Sequence, residues 1–508
     1  MGQILRQPTK AVKEKFDIII IGGGIYGVSL ALEASRHKLR ALVLEKGDFG
    51  EQTSANSLKI LHGGLRYLQT LDLHRFRESV KERSWFVQTF PSLVQKMPFL
   101  MPLYGSGLRR PSIFSIALKI NDYLPLLFNL QNSGLSLFPK GKVINSEKAE
   151  AIFPSIDKRG LVGAALWYDA FMPESQRLII EILRWACDYG ATALNYCEAK
   201  ELILHNHVVE GVLAYDRESK NLLEFRSSVV VNAAGAWNRN LSAAFHRENP
   251  SIFIPSIAWN ILFDRDIESD HSLALTPHEK NSQTYFIIPW KGKILAGTGH
   301  AFWWSDQKDN IRPTDAQIQK FIKDLNNVLP GYTLSSEDIL RIYSGLLPAQ
   351  EKENFKLASR ELIYNFHSFG GPKGLFSITG VKFTTARLVA EKAIKMIFPT
   401  RRNAYFHDRD GFSPTISSEN FWNIDIDELT DKYKFDDCIT LKSLINNESV
   451  IHIDDLVLRR TSLWLSPKKC MDNIVLFASL FGWNEPRVAM EKERLKTNFE
   501  MNGIISQS

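Results

Sequence analysis

The sequence predicts an α/β fold: a doubly wound parallel sheet, interrupted by an antiparallel domain and followed by a helical one. Three observations predict it. Near the N-terminus a hydrophobic strand runs into a glycine-rich turn and then a helical pattern. Between 250 and 300, short strand-like pieces are punctuated by Pro255, Pro277 and Pro289, which suits antiparallel pairing. Beyond about residue 399, helical patterns take over.

Taken in order, residues 1–15 are polar and basic and read as a loose arm. Phe16 and the run Ile18, Ile19, Ile20, Ile21 read as a buried parallel strand. Gly22, Gly24 and Gly27 follow at once, and a helix runs through Leu30, Ala31 and Ala34. Residues 40–44 form a second strand that ends at Glu45, so the unit is a compact βαβ. Further on, 176–189 reads as a helix, 208–215 and 228–232 as strands, and 314–328 as a helix. A strand over 374–378 passes through Gly380 into a helix over 384–397. The tail predicts helices over 453–463, 467–481 and 485–498. Ser466-Pro467 and Asn484-Glu485-Pro486 supply an N-cap side chain and an early proline for the last two.

Composition narrows the function classes. The chain has 508 residues, 44% hydrophobic and 23% charged, which excludes disordered, collagenous and disulfide-rich architectures. A net charge of +6 is too small and too dispersed to indicate nucleic acid. The four cysteines form no CxxC pair and sit beside no histidine cluster, so no metal site is expected and a reducing, cytoplasmic setting fits. The N-terminus lacks the apolar core of a signal peptide, and Arg6 breaks the myristoylation pattern after Gly2. The longest uncharged stretch, between Asp122 and Lys140, contains Pro125 and Asn129 and is no membrane span.

Gly22-x-Gly24-x-x-Gly27 lies where a dinucleotide fingerprint requires it, between strand and helix. The first glycine makes the turn, the second admits a pyrophosphate, and the third lets helix and strand pack closely. The helix N-terminus then presents bare N–H groups to phosphate. Glu45, eighteen residues after Gly27, can accept hydrogen bonds from ribose hydroxyls. The unit alone does not separate FAD from NAD. Gly235, at the end of the small-residue strand 230–234, and Gly380, before Thr384 and Thr385, favour FAD, because both mark close backbone approach. An NAD-dependent dehydrogenase is disfavoured because nothing builds a second nucleotide site.

The chain resembles the FAD-dependent glycerol-3-phosphate dehydrogenase family, within the wider D-amino-acid-oxidase-like flavoproteins. The stretches that carry the resemblance are Thr53-Ser54 with Ser57; Lys59-Ile60-Leu61-His62-Gly63-Gly64-Leu65-Arg66-Tyr67-Leu68; Val231 to Trp237; Ile342 to Gly345; Gly380 to Arg387; and, in the tail, Asp455 to Thr461. It implies an FAD domain in three segments (16–100, 166–245 and 356–398), an insertion facing substrate or membrane (101–165), an antiparallel substrate domain (246–355) and a C-terminal helical domain (399–508). It implies oxidation of the secondary alcohol of a polyol phosphate, with hydride passing to the flavin and electrons leaving to a quinone, or to oxygen in related oxidases. Ser54, Ser57 and His62 would lie along the flavin. Arg66 and Lys382 offer positive charge for a phosphate or developing alkoxide, and Tyr67 a hydrogen bond to a substrate oxygen. Thr384 and Thr385 open a helix whose N-terminus favours anions.

Three positions depart from the family pattern. Leu347 stands where the family carries an arginine facing the substrate. Trp259 or Asn260, depending on register, stands where it carries a histidine. Gly297-Thr298-Gly299-His300 replaces Gly-Thr-Thr-Asp, and His300 offers a displaced base. These departures suit a larger or less anionic polyol, with Phe302, Trp303 and Trp304 nearby. Two other readings stay open at this point: a flavin oxidase or dehydrogenase of another hydroxy or amino substrate, and a flavin-binding protein with impaired catalysis. Finally, Arg109-Arg110-Pro111 precedes Ile113, Ile116, Ile120, Leu124 and Leu127 at helical spacing. That stretch either rests on a membrane surface, where the family reaches quinone, or is buried between domains. The oligomeric state is not legible.

Overall fold

The structure is a computed structural model. It describes residues 2–68, 71–105, 110–127, 138–238, 241–242, 254–277, 283–303, 311–349, 358, 360–401, 426 and 435–504. Among the described residues lie three sheets, of four, six and nine strands.

The six-stranded sheet runs in the order Leu362–Asn365, Leu375–Thr379, Val230–Asn232, Ile18–Ile21, Ala41–Leu44, Thr192–Leu194. Every pairing is parallel except that of the edge strand Leu362–Asn365. The run of isoleucines explains its central place, since a strand covered on both faces has no polar side to show. Ile18 and Ile20 pack under the helices Ile25–Arg36, Ser175–Asp188 and Ala386–Ile397. Ile19 and Ile21 face the other way, onto Val209, Val212 and Phe225 of the four-stranded sheet. That sheet comprises Lys15–Phe16, Asn221–Ser227, Val208–Asp216 and Cys197–His205.

The nine-stranded sheet runs Ile339–Ala349, Ile254–Asp266, Lys293–Phe302, Tyr285–Trp290, Ser272–Leu275, Gln95–Leu103, Gly163–Phe171, Ile60–Leu61, with Lys142–Ile144 beside Gly163–Phe171. It is antiparallel except where Ser272–Leu275 meets Gln95–Leu103. Gln95–Leu103 and Gly163–Phe171 straddle the expected boundaries at 100 and 165. The two strands pair with each other in this sheet, which therefore continues through both boundaries.

The tail differs from its sequence pattern in two places. The stretch 453–463 is not one helix. It forms wide π-type turns over Asp455–Arg460, in which Arg459 and Arg460 are both buried, and then a tight turn at Leu463–Leu465. The stretch 467–481 is cut at Asn473 into Pro467–Asp472 and Ile474–Phe481. Glu485–Met501 closes the tail as a long helix, capped by Asn484. The N-terminal arm is not loose either. Ile4 is buried and its N–H bonds the Asn447 carbonyl at 2.8 Å, while Arg6 pairs with buried Asp216.

Candidate active site

The head of helix Ile25–Arg36 is where Gly22, Gly24, Gly27, Glu45 and Ser54 meet. Gly22 has φ +108°, a conformation that disfavours any side chain. A Cβ on Gly27 would lie 1.8 Å from the Gly22 carbonyl oxygen, so strand and helix touch only because Gly27 has none. Glu45 grips the turn. Its Oε2 accepts the Gly23 N–H at 2.6 Å and its Oε1 the Gly47 N–H at 2.9 Å. Burial, with Glu51 nearby, pushes the Glu45 carboxyl up to about 7. Ser54 Oγ accepts the Ile25 N–H at 3.0 Å, which puts it over the helix N-terminus. Gly235 has φ +55°, and a Cβ there would meet open space. A glycine cradle with open room beside it fits a bound dinucleotide.

The returning segment docks onto the same helix head. Gly380 lies flat on Tyr26, since a Cβ there would come within 1.7 Å of the ring. The Tyr26 hydroxyl donates to the Lys382 carbonyl at 2.7 Å and accepts the Lys382 N–H at 3.1 Å. Burial pushes Tyr26 up to about 12. Its hydroxyl also meets the side chain of Thr385, the residue just before helix Ala386–Ile397. Thr384 is buried beside it. Lys382 Nζ then lies 4.2 Å from the centroid of the buried Tyr67 ring, a cation–π contact. The structure thus brings Tyr67 and Lys382 together across more than 300 residues of sequence. Arg66 lies in the turn Leu65–Leu68, but its side chain lies outside the described residues.

His62 and Ser57 occupy the side toward the nine-stranded sheet. Ser57 Oγ accepts the Lys59 N–H at 3.3 Å. The half-exposed His62 points Nδ1 at Asp169, 3.5 Å away. Asp169 Oδ1 also accepts the Gly63 N–H at 2.6 Å and the Arg83 Nη1 at 2.7 Å. Burial alone would raise the Asp169 carboxyl; His62 and Arg83 outweigh it and hold it below the usual carboxylate range. Asp169 and Arg83 carried no sequence signal, because their role depends on two strands and a helix meeting.

Strand register settles the departures. Asn56 Nδ2 bonds the Ser344 carbonyl at 2.9 Å, and Asn260 Nδ2 bonds the Asn56 carbonyl at 3.0 Å. Thr53 Oγ1 holds both the N–H and the carbonyl of Leu346. So the face of the sheet that carries Asn260 looks toward the Thr53–Ser57 segment, and Trp259 points into the opposite core, against Phe321. Leu347 is two residues from Gly345, which abuts Thr53, and shares its face. His300 pairs with Ala258, itself opposite Gly345, and so stands on that face too, exposed. Trp304 lies outside the described residues.

These features belong together in a comparison with known proteins. The sequence profile described as DAO, FAD dependent oxidoreductase, matches residues 17–396. The chain belongs to that family. It is an FAD-dependent oxidoreductase. It is similar to a glycerol-3-phosphate dehydrogenase of Synechocystis sp., 29% identical over 402 residues, 77% of this chain and 71% of that protein. Another similar protein is the glycerol-3-phosphate dehydrogenase of Mycobacterium leprae, 31% identical over 386 residues, 75% of this chain and 63% of that one. Among solved structures, the glycerol-3-phosphate dehydrogenase of Bacillus halodurans complexed with FAD aligns with a TM-score of 0.73. It is 19% identical and covers 97% of this chain and 96% of that one, a likeness of fold.

Proposed function

We propose that this FAD-dependent oxidoreductase oxidises the secondary alcohol of glycerol 3-phosphate or a related polyol phosphate. The observation that carries the reading is the cation of Lys382 held on Tyr67 at the head of the dinucleotide helix. A fixed positive charge there stabilises an anionic substrate or the alkoxide that forms as the hydroxyl loses its proton. The names of the similar proteins support the substrate class. FAD, when bound, supplies the hydride acceptor. Gly22, Gly24, Gly27, Gly235 and Glu45 would hold its adenosine and pyrophosphate. Ser54, Ser57, Gly380 and Thr385 would line the rest.

His62 is the base in this reading: Asp169 orients Nδ1, leaving Nε2 to take the hydroxyl proton. His300 is the second candidate, on the same side of the sheet. Leu347 removes one charge from the substrate face, which favours a less anionic polyol as a second reading. Anaerobic mixing with glycerol 3-phosphate tests both. Bleaching of the flavin band at millimolar or lower substrate supports the first. Bleaching only by uncharged or larger polyols moves the assignment to the second.

Electron transfer to a membrane quinone is part of the proposal. Among the described residues, no helix is long and apolar enough to cross a membrane. Helix Pro111–Leu127 exposes Ile113, Ile116, Ile120 and Tyr123 along one side, the stripe that would rest on lipid.

A further inference from the structure

The loop after Glu45 is gripped from the C-terminal unit. Asp48, three residues beyond Glu45, is fully buried. Arg460 approaches its carboxylate with both terminal nitrogens, Nη1 to Oδ2 at 2.7 Å and Nη2 to Oδ1 at 2.9 Å. Arg459 Nε adds a bond to Oδ2 at 2.8 Å, and Asn195 Nδ2 one to Oδ1 at 3.2 Å. Residues flanking Asp48 in turn hold the glycine turn. The Gly47 N–H bonds Glu45 Oε1, whose partner oxygen holds the Gly23 N–H, and the Gly50 N–H bonds the Gly23 carbonyl at 3.0 Å. Phe49 packs under Gly23, where a Cβ would meet it at 2.7 Å.

The position of the ribose-facing carboxylate is therefore tied to two arginines more than 400 residues away in sequence. Glu45, Asp48 and Glu51 crowd three carboxyl groups into one short loop, and Arg459 and Arg460 are the guanidinium groups bonded to its centre. A buried carboxylate stripped of its partners is destabilised and would drive the loop to rearrange.

We infer that Arg460, with Arg459, is a positioning residue for the adenosine half of FAD, so that the C-terminal unit sets how tightly the cofactor is held. The inference rests on FAD occupying the glycine turn and is independent of the substrate.

The test is FAD titration into the deflavinated full chain, read by quenching of flavin fluorescence, with melting midpoints measured in parallel. Arg460→Lys keeps the charge but loses the two-pronged bond, and is expected to weaken FAD binding about tenfold or more. Asp48→Asn is expected to do the same, and the double variant to bind no worse than the weaker single one. Glu491→Gln is the control. It breaks a buried pair with His452 in the same tail and touches nothing in residues 45–50. It is expected to lower the melting midpoint and leave FAD affinity within about twofold of wild type. Wild-type affinity in Arg460→Lys, or an equal loss in Glu491→Gln, overturns the inference. A wild-type chain that takes up no FAD would instead overturn the assignment of the glycine turn.

Discussion

At the scale of single residues the proposed reaction rests on Lys382, whose charge lies against Tyr67 on a backbone locked to Tyr26. Lys382→Met is expected to lower kcat/KM for glycerol 3-phosphate by about 10²–10³-fold, measured by steady-state dye reduction. Glu45 makes a different prediction. Its carboxyl titrates near 4.5 when unfolded and near about 7 in the folded chain. The folded state thus holds an extra proton between those values. The stability this contributes is complete below about 4.5 and is lost as pH rises through about 7, up to roughly 3 kcal/mol. The urea midpoint of the deflavinated chain should fall between about pH 5 and 8, and the fall should be smaller in Glu45→Gln. An unchanged slope in the variant rules out Glu45 as its source.

Elements decide which side of a pattern faces what. The helix Pro111–Leu127 has apolar residues on two faces. Phe114 and Leu118 are buried, and Leu124 packs against the small core of Tyr67, Phe76 and Val80. The exposed side is Ile113, Ile116, Ile120 and Tyr123. The periodicity in the sequence joined Leu124 to Ile113, Ile116 and Ile120, and the structure turns Leu124 inward beneath a proposed catalytic tyrosine. Replacing Ile116 and Ile120 with Ser should abolish flotation with anionic liposomes and leave the melting midpoint within a few degrees. Flotation equal to wild type would remove the stripe from the membrane proposal. A second element-level result is Arg387, in the late helix. It forms a two-pronged pair with buried Glu82 at 2.6 and 3.0 Å, which ties helix Ala386–Ile397 to helix Leu73–Thr89.

Across the whole molecule, buried ion pairs join the tail to the dinucleotide domain. Arg177 lies between Glu181 and Glu448, and Arg460 reaches Asp48. Such pairs specify a docking geometry more than they add net stability. His452 sits among them, between Glu218, in the turn after strand Val208–Asp216, and Glu491 of helix Glu485–Met501. Burial would lower its pKa, but the two carboxylates outweigh that and raise it to about 9. Its contribution is therefore complete below about 6.5 and is lost as pH rises through about 9. Thermal melts should show the chain losing stability across that interval, and His452→Gln should flatten the loss while lowering the midpoint at neutral pH. A variant with the wild-type pH slope would exclude this histidine.

The sequence alone determined the dinucleotide unit, because that feature is local, and it pointed to the flavin only through Gly235, Gly380 and the family resemblance, which lie far along the chain. A strand, a turn that admits only glycine and a helix N-terminus lie within a dozen residues, and backbone sterics set their meaning wherever they occur. Only the tertiary structure decided that Asn260 rather than Trp259 faces the Thr53–Ser57 segment, since a one-residue change of register reverses every side chain and composition does not fix it. It also decided that Asp169 contacts His62, that Tyr67 meets Lys382, and that Arg459 and Arg460 reach Asp48. Each of those contacts joins residues far apart in the chain, where charge and shape matter only once the sheets have brought them into reach.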